Sequence, residues 1–230
     1  MEEQVRQYVK YDFYKLDPVW RRLDSDEKER HKAEFAAVLD EFSSGISILP
    51  YGLTGIRGDC DFLLWKVSRS LEEFQELAGQ LWKTGMGKYL QIPYSYLAMT
   101  RRSPYVGSHR HPGQDGAGGV IRQIGRKYLF VYPFVKTHDW YQLPADSRQG
   151  IMNEHIKIGH KYPSVKITTT YSFGLDDQEF VLGFETDSPS DFLELVMELR
   201  ESEARPYTER DTPIFTCISG KLRDILDSLG

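Results

Sequence analysis

Trp20-Arg-Arg-Leu-Asp-Ser-Asp26 and Trp140-Tyr-Gln-Leu-Pro-Ala-Asp146 are two copies of one passage, 120 positions apart. The register continues: Glu34 matches Glu154, and Phe42 matches Tyr162. Further on, Asp59-Cys-Asp-Phe62-Leu-Leu64 matches Asp177-Gln-Glu-Phe180-Val-Leu182 at a spacing of 118, a two-residue indel. Phe74-x-x-Leu77 then matches Phe192-x-x-Leu195. A repeat of residues 20–97 at 140–215 means two copies of one supersecondary unit, whose equivalent positions can be compared within one chain.

Each copy reads strand, helix, strand, strand, helix, strand. Tyr8 to Tyr14 is aromatic and β-branched and is predicted to be a strand. Asp24-Ser-Asp-Glu27 caps and charges a helix start, and Phe35, Val38, Leu39 and Phe42 follow at 3/4 spacing. Residues 46–53 and 61–67 read as strands, Ser70-Leu-Glu-Glu73 as a capping box opening a second helix, and 92–99 as the closing strand. The second copy predicts strands over 127–136, 165–171, 180–185 and 213–218, helices over 145–160 and 188–201, and a short C-terminal helix over 221–229. This βαββαβ order is the ferredoxin-like unit. The predicted architecture is α+β, two tandem ferredoxin-like halves packed face to face or closed into a barrel-like core. The halves run over 1–105 and 126–230. Residues 106–125 join them as a linker carrying Gly107, Gly113, Gly116, Gly118, Gly119 and Gly125, too glycine-rich for a regular element.

Composition narrows the function classes. The 230 residues are 40% hydrophobic and 13% aromatic, enough for a packed core. Net charge is −5 without a basic tract, which argues against nucleic acid as a partner. Cys60 and Cys217 make neither a disulfide framework nor a CxxC metal pair, which suits a reduced cytoplasmic setting. The first residues are charged and lack the apolar stretch of a secretory signal. No run approaches the roughly 20 apolar residues of a membrane span.

The copies differ where chemistry would sit. At one core-facing helical position the first copy has Phe35 and the second His155. On the preceding strand Asp12 and Leu16 give way to Tyr132 and Lys136, four residues apart and so on one face of a strand. His155 reads either as a core histidine bonded to backbone or as an iron ligand. A lone imidazole among Met152, Ile156 and Ile158 does not make a zinc site, which needs three or four ligands. It does suit a haem, whose porphyrin brings four more. Glu154 and Glu179 are candidate acceptors for its other ring N–H. Tyr132 and Lys136 read either as a core phenol beside a snorkelling amine or as a pair set to meet an anionic ligand. His138 and His160 read as solvated, and Gly174-Leu-Asp-Asp177 as a tight turn between strands.

Three stretches together resemble one family. They are Tyr128-Leu-Phe-Val-Tyr132-Pro-Phe-Val-Lys136-Thr-His-Asp-Trp140, Glu154-His155-x4-His160-Lys161-Tyr162, and Gly174-Leu-Asp-Asp-Gln-Glu-Phe180. They resemble the chlorite dismutase-like superfamily and, within it, the coproheme decarboxylase branch. The resemblance implies a dimeric α+β barrel assembled as a homo-oligomer, usually a pentamer. It implies hydrogen-peroxide-dependent decarboxylation of iron-coproporphyrin III (coproheme), at once substrate and redox cofactor, to haem b, with a possible transient contact with coproporphyrin ferrochelatase. His155 matches the proximal iron ligand, Tyr132 the tyrosine that becomes the oxidising radical, and Lys136 a lysine that binds a propionate. Arg122, Arg126, Lys161 and Arg205 are further propionate candidates. Ile167 falls where chlorite dismutases carry a distal Arg and many decarboxylases a Gln. Ser108-His109 resembles the distal Ser-His pair of another branch, so His109 is the candidate distal base, with His111 as the alternative. A haem-binding protein for storage or transfer, a chlorite dismutase-like haem peroxidase, and a haem-free scaffold are the competing readings.

Overall fold

A computed structural model describes residues 6–105 and 120–230. In chain order the elements are β1 (Tyr8–Leu16), α1 (Ser25–Phe42), β2 (Ser47–Gly52), β3 (Phe62–Ser68), α2 (Leu71–Lys83), β4 (Leu90–Met99), β5 (Tyr128–Lys136), α3 (His138–Gln142), α4 (Ala145–Gly159), β6 (Lys166–Tyr171), β7 (Phe180–Thr186), α5 (Pro189–Glu201), β8 (Thr208–Arg210), β9 (Phe215–Ser219) and α6 (Leu222–Asp227). The capping residues read from sequence act as such at α1 and α2: Asp24 accepts the Glu27 N–H, and Ser70 the Glu72 N–H. No described helix is long and apolar enough to cross a membrane.

Two compact units emerge, residues 7–97 with 216–230, and residues 98–215. In the first, the strand order is β4-β1-β3-β2, extended by β9 on β2 through Tyr51↔Ser219. In the second it is β8-β5-β7-β6. Both are the 4-1-3-2 order of a ferredoxin-like unit, the fold expected of each half. The C-terminal residues, read from sequence as part of the second half, pair and cluster with the first. The fourth strand of the second unit is the short β8, not the 213–218 stretch, which supplies β9 instead. Pro213 has no N–H to donate to a ladder and separates the two.

Strand alternation splits β1 cleanly. Val9, Tyr11 and Phe13 face one side, while Tyr14 and Leu16 join Phe35, Leu39, Phe74 and Leu77 under the helices. Asp12 lies on that helix-facing side too, and its carboxylate takes a 2.5 Å ion pair from the buried Lys66 and a 2.6 Å hydrogen bond from Ser95. In the second unit Tyr128, Phe130, Tyr132 and Phe134 project alike, packing with Phe184, Phe192, Ile158 and Leu195. Lys166 and Glu185 lie on the opposite side of that sheet. There they fasten the end of the connecting segment, by Lys166 Nζ to the Arg122 carbonyl (2.7 Å) and Glu185 to the Gly125 N–H (2.8 Å).

The Asp12–Lys66 pair yields a stability prediction. Asp12→Leu alone strands a buried ammonium and is expected to destabilise the chain by about 3–5 kcal/mol. Asp12→Leu with Lys66→Met removes both charges and is expected to cost less than that single change. Urea unfolding of both variants checks the order; a double variant weaker than Asp12→Leu contradicts it.

Candidate functional site

The register of β5 on β7 sets Tyr132 opposite Leu182 and Phe130 opposite Phe184. The Tyr132 ring stacks on Phe184 with centroids 5.6 Å apart and planes 14° from parallel. The comparison between halves is direct: Tyr132 and Phe184 occupy the positions held by Asp12 and Lys66. Where one half closes a buried ion pair, the other lays an aromatic stack. Burial pushes the Tyr132 phenol well above its ordinary pKa; Asp211 adds to the rise, and Arg200 and Arg205 oppose it.

Beyond Tyr132 the β5–β8 pairing shifts register between Val135 and Lys136. The Lys136 backbone N–H donates to Glu179 Oε2 at 2.7 Å, as the Leu16 N–H does to Asp61 Oδ2 at 2.9 Å in the other unit. The clamp is thus common to both halves, and only the side chain it holds has changed. The Lys136 ammonium sits 4.4 Å from the Trp140 ring centroid and 5.2 Å from that of Phe134, favourable cation–π positions. It has no ion-pair or hydrogen-bond partner among the described residues. Burial lowers its pKa to about 8 against the opposing pull of Glu179. Glu179 is brought here by the 174–177 turn, where Gly174 takes φ +71°, a conformation open mainly to glycine. Its Oε2 also accepts the Tyr141 hydroxyl at 2.6 Å.

His155 sits on α4 where Phe35 sits on α1. Phe35 is wholly buried and meets Phe62 edge-on at 6.1 Å. His155 is half-buried, and its Nδ1 is buried without a hydrogen-bond partner. Burial and the field of Lys136 lower its pKa to about 4, with Glu154 pulling the other way, so the ring is neutral at pH 7. Neither carboxylate expected to orient the ring does so. Glu154 Oε2 takes the Glu203 N–H at 3.0 Å, and Glu179 is committed to Lys136 and Tyr141. Among the described residues no three His, Cys, Asp or Glu side chains gather as a metal site. A metal on His155 would therefore take its other donors from a ligand. A neutral imidazole with an orphan nitrogen, near an aromatic sheet face and a partnerless ammonium, fits a haem-type group bearing carboxylates.

The remaining candidates lie in several places. Ile167 is on β6, opposite Phe184 in the ladder and packed in the Tyr132 cluster. Arg126 pairs with Asp187 at 2.6 Å, Arg205 with Asp211 at 2.6 Å, and Lys161 with Glu198, so each of the three already has a carboxylate. Arg122 is exposed, as are His138 and His160. His109 and His111 lie outside the described residues. The sequence reading passed over Arg148, Tyr141 and the Arg200–Asp211 pair. Arg148 stands seven residues before His155, two helical turns, so helical periodicity alone could have flagged it.

Comparison with known proteins identifies the family. The chlorite dismutase family model matches residues 28–220. The chain belongs to the chlorite dismutase family. It is 30% identical to the coproheme decarboxylase of Mycolicibacterium smegmatis (strain ATCC 700084 / mc(2)155) over 167 residues, covering 72% of this chain and 70% of that one. A variant of chlorite dismutase from Candidatus Nitrospira defluvii superposes with a TM-score of 0.88 at 23% identity, over 99% of this chain and 96% of that one. The same enzyme in complex with imidazole gives 0.87 at 23%, over 99% and 95%. At that identity these structures bear on the fold, which is the one expected from the repeat.

Holding Lys136 charged without a counter-ion has a stability consequence. Its pKa near 8 lies below the ordinary 10.5, so between those values the unfolded chain binds more protons and stability rises with pH. At pH 7 the ligand-free Lys136→Met variant is expected to be more stable than wild type, by on the order of 1–3 kcal/mol. The gap should shrink as pH climbs from 8 towards 10. Urea midpoints at pH 7 and pH 9.5 check both statements.

Proposed function

We propose that this protein binds iron-coproporphyrin III and, with hydrogen peroxide, decarboxylates two of its four propionates to give haem b. The observation that carries the reading is the set of groups assembled in the second unit. Among the described residues the Nδ1 of a neutral imidazole lacks a partner, a buried phenol is stacked at the sheet face, and a desolvated ammonium has no counter-ion. The 30% identity to a coproheme decarboxylase supports it.

Each group has a role in that reaction. His155 would hold the iron, and the bound iron porphyrin supplies the oxidising chemistry with peroxide. Lys136 binds a propionate carboxylate and orients it, their mutual attraction strengthened by the dry surroundings. Tyr132 Oη gives up its hydrogen atom and takes one from the propionate β-carbon. The carbon skeleton then loses CO2 and becomes a vinyl group. One propionate, one peroxide and one proton give one vinyl, one CO2 and two waters, so two peroxides are consumed per haem b. Burial keeps Tyr132 protonated, so it enters the reaction as a phenol. His109 is the proposed group that moves a proton between the peroxide oxygens. Ile167, which can neither donate nor accept a proton, cannot serve in that role.

Mass spectrometry of coproheme incubated with the protein and peroxide tests the reading, haem b being the expected product. Tyr132→Phe, which deletes one hydroxyl, should bind coproheme as wild type does and yield no haem b. His155→Ala should weaken binding and lose the histidine-ligated ferric spectrum. Coproheme binding without product in wild type would favour a carrier instead. Haem b formed by Tyr132→Phe at the wild-type rate would remove the tyrosine from the mechanism.

A further inference from the structure

Arg148 is, among the described residues, a cation of the second unit that no contact within the unit accounts for. It lies in the first turns of α4, two turns before His155, with its side chain half-buried. Among the described residues its Nε is buried without a hydrogen-bond partner, and no carboxylate lies within ion-pair distance of it. Leaving a buried charged donor unpaired is costly, so proteins seldom keep one that has no use. Gln149, the next residue, donates its Nε2 to the Tyr105 carbonyl at 3.1 Å and to Asn153 Oδ1 at 2.8 Å, which ties down the local helix.

Tyr141 links Arg148 to Lys136. Its hydroxyl donates to the Glu179 oxygen that also takes the Lys136 N–H, and the phenol lies in the field of the Arg148 guanidinium. Beside Lys136, the Thr137 Oγ1 is a further buried polar atom without a partner. Lys136 and Arg148 are thus linked through Glu179 and Tyr141, and the Glu179 Oε2 already accepts two donors.

We propose that Arg148 is a carboxylate-binding residue, closing with Lys136 on an acid group of the ligand and selecting ligands that carry one. This rests on the reading that the unit binds iron-coproporphyrin III. It adds a positioning and specificity role for a residue outside the motifs that suggested that ligand. A guanidinium suits the task, since its planar fork meets both oxygens of a carboxylate where an ammonium meets one point.

Binding selectivity tests it. Wild type, Arg148→Gln and Arg148→Lys are titrated, by absorbance in one detergent buffer, with iron-coproporphyrin III and with its tetramethyl ester, which has the same ring and iron but no charged carboxylate. Wild type should prefer the free acid. Arg148→Gln should lose about ten- to a hundredfold in affinity for the acid and little for the ester, with the ferric spectrum of the bound complex unchanged. Arg148→Lys should recover part of the loss. Equal weakening towards acid and ester would assign Arg148 a structural role and overturn the proposal. So would unchanged affinity for the acid in Arg148→Gln. If wild type bound neither porphyrin, the reading of the whole unit would fall, a result distinct from any change confined to the variants.

Discussion

The flat contact of Tyr132 on Phe184 fixes the geometry of the second unit. It depends on the ladder register that sets β5 against β7, because neighbouring side chains on a strand point to opposite faces. A slip of one residue would turn Tyr132 to the other side of the sheet and bring Val131 and Pro133 under the helices. With the register as it is, Tyr132 faces α4 and α5, and the last turn of β5 carries Lys136 onto the Trp140 ring. The phenol and the ammonium owe their facing to one choice of strand pairing.

The two halves solve one packing problem in opposite ways. In the first, the polar residues under the helices are closed off: Asp12 is shared between Lys66 and Ser95, while Phe35 and Leu16 fill their positions with hydrocarbon. In the second, the equivalent positions hold Tyr132, Phe184, His155 and Lys136, and the polar members among them stay incompletely satisfied. Both halves keep the backbone clamp from a carboxylate to the strand end, through Asp61 in one and Glu179 in the other. A duplicated frame has kept its scaffold while one copy exchanged a finished interior for an open one.

That exchange is why the sequence was informative. The repeat, two periodicities and the caps at Asp24 and Ser70 predicted a ferredoxin-like unit in each half. The asymmetry at 35/155, 12/132 and 16/136 singled out His155, Tyr132 and Lys136 of the second unit. What escaped the sequence depends on longer-range geometry. Nothing in the run of letters shows that the chain after Pro213 leaves the second unit for an edge of the first, or that β8 takes its place. Nor does composition reveal that Arg126, Lys161 and Arg205 are already held by Asp187, Glu198 and Asp211, while Arg148 has no carboxylate among the described residues. Whether a cation is spent or free is a property of its neighbours. The expected carboxylate partner of His155 failed for the same reason: Glu154 and Glu179 are close in sequence or topology, but their oxygens are used elsewhere.

The low basicity of Lys136 also gives the side chain a chemical character unusual for lysine. With a pKa near 8, roughly a fifth of the ligand-free protein carries it as a free amine at pH 7.4, against less than about a thousandth for an ordinary solvated lysine. An amine in that form is a nucleophile, able to form imines with aldehydes and amides with activated esters. The dry place beside the Trp140 and Phe134 rings therefore also raises the share of this lysine in its nucleophilic form while no ligand occupies the site. A bound carboxylate would reverse this, raising the basicity and masking the lone pair, so occupancy of the pocket would be written into the reactivity of one side chain.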